Sequence, residues 1–66
     1  MEVKLNGQLY ELPEHVTTIQ ELLDHLKLSN RIVIVEVNKE IVQKSDYGKH
    51  IRERDEIEMI HFVGGG

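Results

Sequence analysis

Met1-Glu2-Val3-Lys4-Leu5-Asn6-Gly7-Gln8-Leu9-Tyr10-Glu11-Leu12 opens the chain. Val3 and Leu5 alternate with Glu2 and Lys4, the two-residue period of a strand. Asn6-Gly7 follows, and a type I′ turn needs positive φ at both central residues, which this pair accepts readily. A two-residue loop there pairs Leu5 with Gln8, Val3 with Tyr10 and Met1 with Leu12. One face then holds Met1, Val3, Leu5, Tyr10 and Leu12. The other holds Glu2, Lys4 and Glu11, with Leu9 as its lone apolar residue. A hairpin of this kind predicts a one-sided sheet over a core. Pro13 lacks an amide donor and ends the second strand.

The cover for that face comes next. Thr18 with Glu21 fits a capping box, as does Thr17 with Gln20 one residue earlier, and Thr18 is the preferred start. Ile19, Leu22, Leu23 and Leu26 then fall on one helical stripe, while Gln20, Glu21, Asp24 and Lys27 lie elsewhere. Ser29-Asn30 provides the exit. Ile32 to Val35 is a continuous β-branched run, extended by Val37, which favours strand over helix. Asn38-Lys39 turns the chain into a short strand, Glu40-Ile41-Val42. Residues 43–54 are polar, with Gly48 as a turn and Tyr47 and Ile51 as anchors. Arg54-Asp55 turns again, and the alternating segment from Glu56 to Val63 forms the last strand. The order is β-β-α-β-β-β. A helix and a sheet that each carry one apolar face bury them against each other, and a helical crossover returns the chain parallel within the sheet. The fold class is α+β, a mixed sheet of four to five strands packed on one main helix.

Composition narrows the function. The chain has 66 residues, 39% hydrophobic, with 8 basic against 12 acidic side chains and a net charge of −4. One domain is the limit at this length. Negative net charge argues against nucleic acid as the main partner. No apolar stretch reaches the roughly 18 residues of a membrane span, and the start lacks the apolar run of a secretory signal, so the cytoplasm is the expected compartment. No cysteine is present, which removes disulfides, thiol nucleophiles and cysteine-held zinc. His15, His25, His50 and His61 are scattered without metal-ligand spacing, and Ser29 and Ser45 have no nucleophile elbow. Glu53, Asp55, Glu56 and Glu58 interleave with Arg52 and Arg54. This cluster reads as a solvated turn, a docking patch for a basic partner, or a pair of acid/base carboxylates.

The last strand and its end carry the remaining signal. Ile57, Met59, His61 and Val63 alternate with Glu58, Ile60 and Phe62. A one-sided strand would be polar on its second face, yet Ile60 and Phe62 fall there together. Either the second face is also covered, as in a central strand, or a partner covers it. Gly64-Gly65-Gly66 then ends the sequence. Without Cβ atoms such a thread is narrow, and its terminal carboxylate can enter a tight channel in another enzyme. Attack of that carboxylate on ATP gives an acyl-adenylate, which a sulfur nucleophile converts to a thiocarboxylate or thioester. Alternatively the glycines are simply a frayed end.

The chain resembles the ThiS family, the sulfur carriers of thiamine biosynthesis within the ubiquitin-like β-grasp proteins. The resemblance spans the Met1–Leu12 hairpin with Asn6-Gly7, Thr18-Ile19-Gln20-Glu21-Leu22-Leu23, Val35-Glu36-Val37-Asn38-Lys39-Glu40-Ile41-Val42, Arg54-Asp55-Glu56-Ile57-Glu58 and terminal Gly65-Gly66. Where the family commonly has an aromatic residue and a Gly-Asp turn before the last strand, this chain has Tyr47 and Arg54-Asp55, and Gly64 lengthens the thread. The resemblance implies a single domain over 1–63, a glycine tail over 64–66 and a protein co-substrate that is not itself an enzyme. It further implies an E1-like adenylating enzyme that uses ATP, a sulfur donor system, and thiazole synthase as acceptor. No cofactor or metal is expected to be resident. Gly66 would carry the reacting group and Gly65 would let the tail thread. Strand alternation adds Ile60, Phe62 and Val63, with Gly64, as the partner-binding surface. A carrier for molybdopterin synthesis, a modifier of lysines and a passive binding module are the alternatives.

Overall fold

A computed structural model describes residues 1–61. The elements are β1 (Glu2–Leu5), β2 (Gln8–Glu11), α1 (Ile19–His25), β3 (Val33–Val37), β4 (Glu40–Ile41), a 3-10 turn (Lys44–Asp46) and β5 (Glu56–His61). The five strands form one sheet in the order β2-β1-β5-β3-β4. β5 is parallel to β1, and the other pairings are antiparallel. This is the expected α+β arrangement, with the 3-10 turn as an addition.

The opening hairpin has the expected register, Leu5 against Gln8 and Val3 against Tyr10, and the Leu12 amide donates to the Met1 carbonyl at 2.8 Å. Asn6 (φ 50°) and Gly7 (φ 85°) supply the two positive φ angles of the turn. The helix starts at Thr18 with both halves of its capping box formed. The Glu21 carboxylate accepts from the Thr17 amide, the Thr17 hydroxyl and the Thr18 amide, and these bonds hold its carboxyl below the ordinary range.

The helix ends earlier than Ser29-Asn30. Lys27 sits at φ 61°, its amide donates to the Asp24 carbonyl, and the Leu28 amide reaches back to the Leu23 carbonyl at 2.8 Å. This is a Schellman closure with lysine at the position glycine usually takes. It is driven by Leu28, which packs against the core one residue later. Strand β3 likewise begins at Val33. Ile32 lies outside it and is exposed, although it continues the same β-branched run.

Val3, Leu12, Val16, Ile19, Leu22, Leu23, Val35, Tyr47, Ile51, Ile57 and Met59 form one buried core, with Leu26 half-buried at its edge. The 43–54 segment is tied to the start of the helix. The Gln20 amide donates to the Tyr47 carbonyl and the Ile51 amide to the Thr17 carbonyl, so Tyr47 and Ile51 anchor the loop as expected.

Both hairpin turns also hold β5 with an asparagine. The Asn6 amide donates to the Ile57 carbonyl at 2.9 Å, and its Oδ1 accepts the Met59 amide at 2.8 Å. A regular parallel ladder would send the Met59 amide to a main-chain carbonyl of β1. At Asn6 the chain is already turning, so a side-chain carbonyl takes that place. On the other flank Asn38 (φ 53°) donates its amide to the Glu56 carbonyl at 2.7 Å. Its Oδ1 accepts the Glu56 amide, and its Nδ2 donates to Asp55 Oδ1.

Leu22→Ala, at a fully buried site, is expected to cost about 2–5 kcal/mol, and Leu26→Ala at the core edge clearly less, in urea denaturation. Equal losses would contradict this packing. Asn6→Gly keeps the turn but removes the acceptor for the Met59 amide, and about 1–2 kcal/mol should be lost. An unchanged urea midpoint would show that the side-chain bond does not support β5.

Candidate functional site

The sequence reading pointed to β5 and the residues after it. β5 sits at the centre of the sheet, where a strand is normally paired along both sides. Along β3 it is paired over five residues, from Val37 opposite Ile57 to Val33 opposite His61. Along β1 it is paired only through Lys4 opposite Glu56 and Leu5 opposite Ile57.

Side chains alternate across the sheet. Ile57 and Met59 point into the core and are buried. Glu58 and Ile60 point the other way. Ile60 is 48% exposed, and Ile34, directly opposite on β3, is 39% exposed. The described residues therefore leave an apolar cross-strand pair partly exposed on the face away from the helix. Of the two readings of the second face, full cover by the described residues does not hold at Ile60. His61 has the parity of the buried residues yet is exposed, because the core ends before it reaches the strand's end.

Ile34 is the site residue that sequence reasoning missed. It lies within the run 32–35, where every residue is β-branched or apolar and no alternation marks a face. The available signal was Glu36, two residues on, which places the Ile34 side on the polar face. Phe62, Val63, Gly64, Gly65 and Gly66, named with Ile60 from the sequence, lie outside the described residues.

Charge on this face is unbalanced locally. Glu36 stands directly opposite Glu58, one pair along from Ile34 and Ile60 on the same side. Like charges placed opposite each other are unfavourable. The rest of the acidic cluster divides by role. Glu53 Oε2 accepts the Glu2 amide at 2.9 Å, and Asp55 Oδ2 accepts the Arg52 amide at 2.9 Å while its Oδ1 serves Asn38. Those two carboxylates organise the turn before β5. Glu56 and Glu58 are exposed.

The histidines do not gather. His15 and His25 meet edge to face with centroids 6.0 Å apart, His50 bridges to Thr18, and His61 ends β5. Among the described residues no three His, Asp or Glu side chains are placed to hold a metal ion. Again among those residues, no helix is long and apolar enough to cross a membrane.

The ThiS family model matches residues 3–66. The chain belongs to the ThiS family. It is 48% identical over 65 residues to the sulfur carrier protein ThiS of Bacillus subtilis, covering 97% of this chain and 98% of that one. A thiazole synthase of Magnetococcus marinus is 40% identical over 67 residues, covering all of this chain but only 20% of the synthase. Among solved structures, the crystal structure of ThiS from Geobacter metallireducens superposes with a TM-score of 0.78 at 27% identity and full coverage of both chains. The solution structure of a thiamine biosynthesis protein from the same organism gives 0.81 at 28% identity, covering all of this chain and 88% of that one. The fold is thus the ubiquitin-like β-grasp of ThiS, a five-stranded mixed sheet on one helix.

Ile34→Ala and Ile60→Ala are each expected to cost less than about 1.5 kcal/mol in chemical denaturation, since half-exposed side chains contribute a fraction of full burial. A loss of about 3 kcal/mol at either position would show the pair to be core.

Proposed function

We propose that this chain is a sulfur carrier for thiamine biosynthesis, a co-substrate that other enzymes act upon. The observation that carries the reading is the ThiS family match running through to residue 66. The uncovered Ile34–Ile60 pair on the strand that precedes the tail supports it.

In this reading the Gly66 carboxylate enters an E1-like adenylating enzyme. It attacks ATP, expels pyrophosphate and becomes an acyl-adenylate. A sulfur donor system then supplies a sulfur nucleophile, which forms the carbon–sulfur bond as AMP leaves. The product is a Gly66 thiocarboxylate, and thiazole synthase takes its sulfur for the thiazole ring. ATP belongs to the adenylating partner. Gly64 and Gly65 let the tail pass where a Cβ would obstruct. Ile60 with Ile34, and Phe62 and Val63 beyond them, form the docking surface. Residues 1–63 act as the domain and 64–66 as the tail, and use of ATP puts the work in the cytoplasm. Similarity of the chain to one fifth of a thiazole synthase supports that synthase as acceptor over an acceptor in molybdopterin synthesis.

Growth complementation tests the reading. In a strain that lacks its own carrier and needs added thiazole, the full chain should restore growth. The chain without Gly65 and Gly66 should fail while keeping the circular dichroism spectrum and thermal midpoint of the full chain. Rescue by the truncated chain would overturn the carrier role.

A further inference from the structure

Asn6-Gly7 is a reactive pair as well as a turn. The backbone nitrogen that follows an asparagine can attack its side-chain Cγ, and glycine has no side chain to shield that nitrogen. The chain has three asparagines, and only Asn6 precedes glycine; Asn30 precedes Arg31 and Asn38 precedes Lys39. Asn6 and Gly7 are both exposed, and a Cβ built on Gly7 meets nothing within 4 Å, so water reaches the pair. Among the described residues, neither the Gly7 amide nor Asn6 Nδ2 donates a hydrogen bond. The attacking nitrogen and the leaving group are therefore free. Only the carbonyl oxygen between them is held, by the Met59 amide at 2.8 Å. At Asn38 both side-chain atoms are held, Oδ1 by the Glu56 amide and Nδ2 by Asp55.

We propose that Asn6 is a site of spontaneous deamidation, held in check by the bond it makes to Met59. The Gly7 nitrogen bonds to Cγ, the Cγ–Nδ2 bond breaks, and the Gly7 amide proton ends on the departing ammonia. The product is a five-membered succinimide. Water then adds to one of its two carbonyls. Opening at Cγ gives aspartate. Opening at the main-chain carbonyl gives isoaspartate, in which Cβ and Cγ join the main chain. Ring closure turns the Gly7 nitrogen toward Cβ about the Cα–C bond, which undoes the left-handed turn set by φ 50° at Asn6. It also draws Oδ1 off the Met59 amide. The folded hairpin therefore resists the reaction, and release of β5 from Asn6 permits it. Aspartate still offers Met59 a side-chain oxygen. Isoaspartate lengthens the turn by a main-chain carbon, and its carboxylate sits directly on Cα, one bond short of where Oδ1 was. The amide of the buried Met59 then loses its partner. Conversion at the turn thus loosens the strand that leads to the tail.

Incubation of the full chain in mildly alkaline buffer, with and without denaturing urea, tests this. Peptide mapping by mass spectrometry locates each replacement of an amide by an acid, and an isoaspartyl methyltransferase marks the isomer. In urea, conversion should begin at Asn6, ahead of Asn30 and Asn38. In native buffer it should be at least about fivefold slower, the factor that one side-chain hydrogen bond supplies. Earlier conversion at Asn30 or Asn38, or equal rates with and without urea, would overturn the proposal. The isoaspartate form, isolated by chromatography, should unfold at lower urea than Asn6→Asp, which keeps an acceptor for Met59. Equal midpoints would contradict the loosening of β5. None of these outcomes depends on the carrier reading.

Discussion

Everything in this fold depends on how β5 is held. It is the last strand in the sequence and the central one in the sheet, so both hairpins are incomplete until it is inserted. Each hairpin meets it with the asparagine of its own turn. Asn6 extends the short β1 ladder to Met59, and Asn38 fastens Glu56 and the preceding Asp55 turn. Positive φ and a short amide side chain are the two requirements at those positions, and asparagine meets both. The same residues that reverse the chain thus set the register of the strand that leads to the tail. A 66-residue domain has little core to spare, which makes these polar clips a sizeable share of what fixes β5.

That arrangement gives the strand two different faces and two different edges. Toward the helix, Ile57 and Met59 complete the core. Away from it, Ile60 and Ile34 stay uncovered, and Glu36 faces Glu58. Along β3 the backbone is paired to His61, and along β1 it is open after Met59. Among the described residues of β5, the exposed apolar side chain Ile60 and the unpaired Met59 carbonyl and His61 amide therefore lie at the strand's C-terminal end. At the start of β5, by contrast, the Asp55 carboxylate accepts from Asn38 and from the Arg52 amide, Asn38 accepts the Glu56 amide, and Glu53 separately accepts the Glu2 amide.

Local signals made most of the fold readable. Asn6-Gly7, the Thr18 capping box and the 19-22-23-26 stripe act within a few residues of themselves, and each appears where its pattern put it. The helix end was less readable because Lys27 occupies a left-handed position that favours glycine, so no local residue announced it. The acidic cluster was ambiguous for another reason. Glu53 bonds to Glu2 and Asp55 to Asn38, partners 51 and 17 residues away, and no window of sequence contains them. Ile34 shows the limit of periodicity, since a run of apolar residues does not reveal which of them face the core.

The central claim is that Gly66 carries sulfur. Intact mass of the protein purified from its native cells, measured before and after alkylation, tests it most directly. The account predicts a gain equal to the difference between sulfur and oxygen, localised to Gly66 and capped by the alkylating agent. An unmodified terminus that stays unmodified when adenylating enzyme, ATP and a sulfur donor are supplied would contradict it.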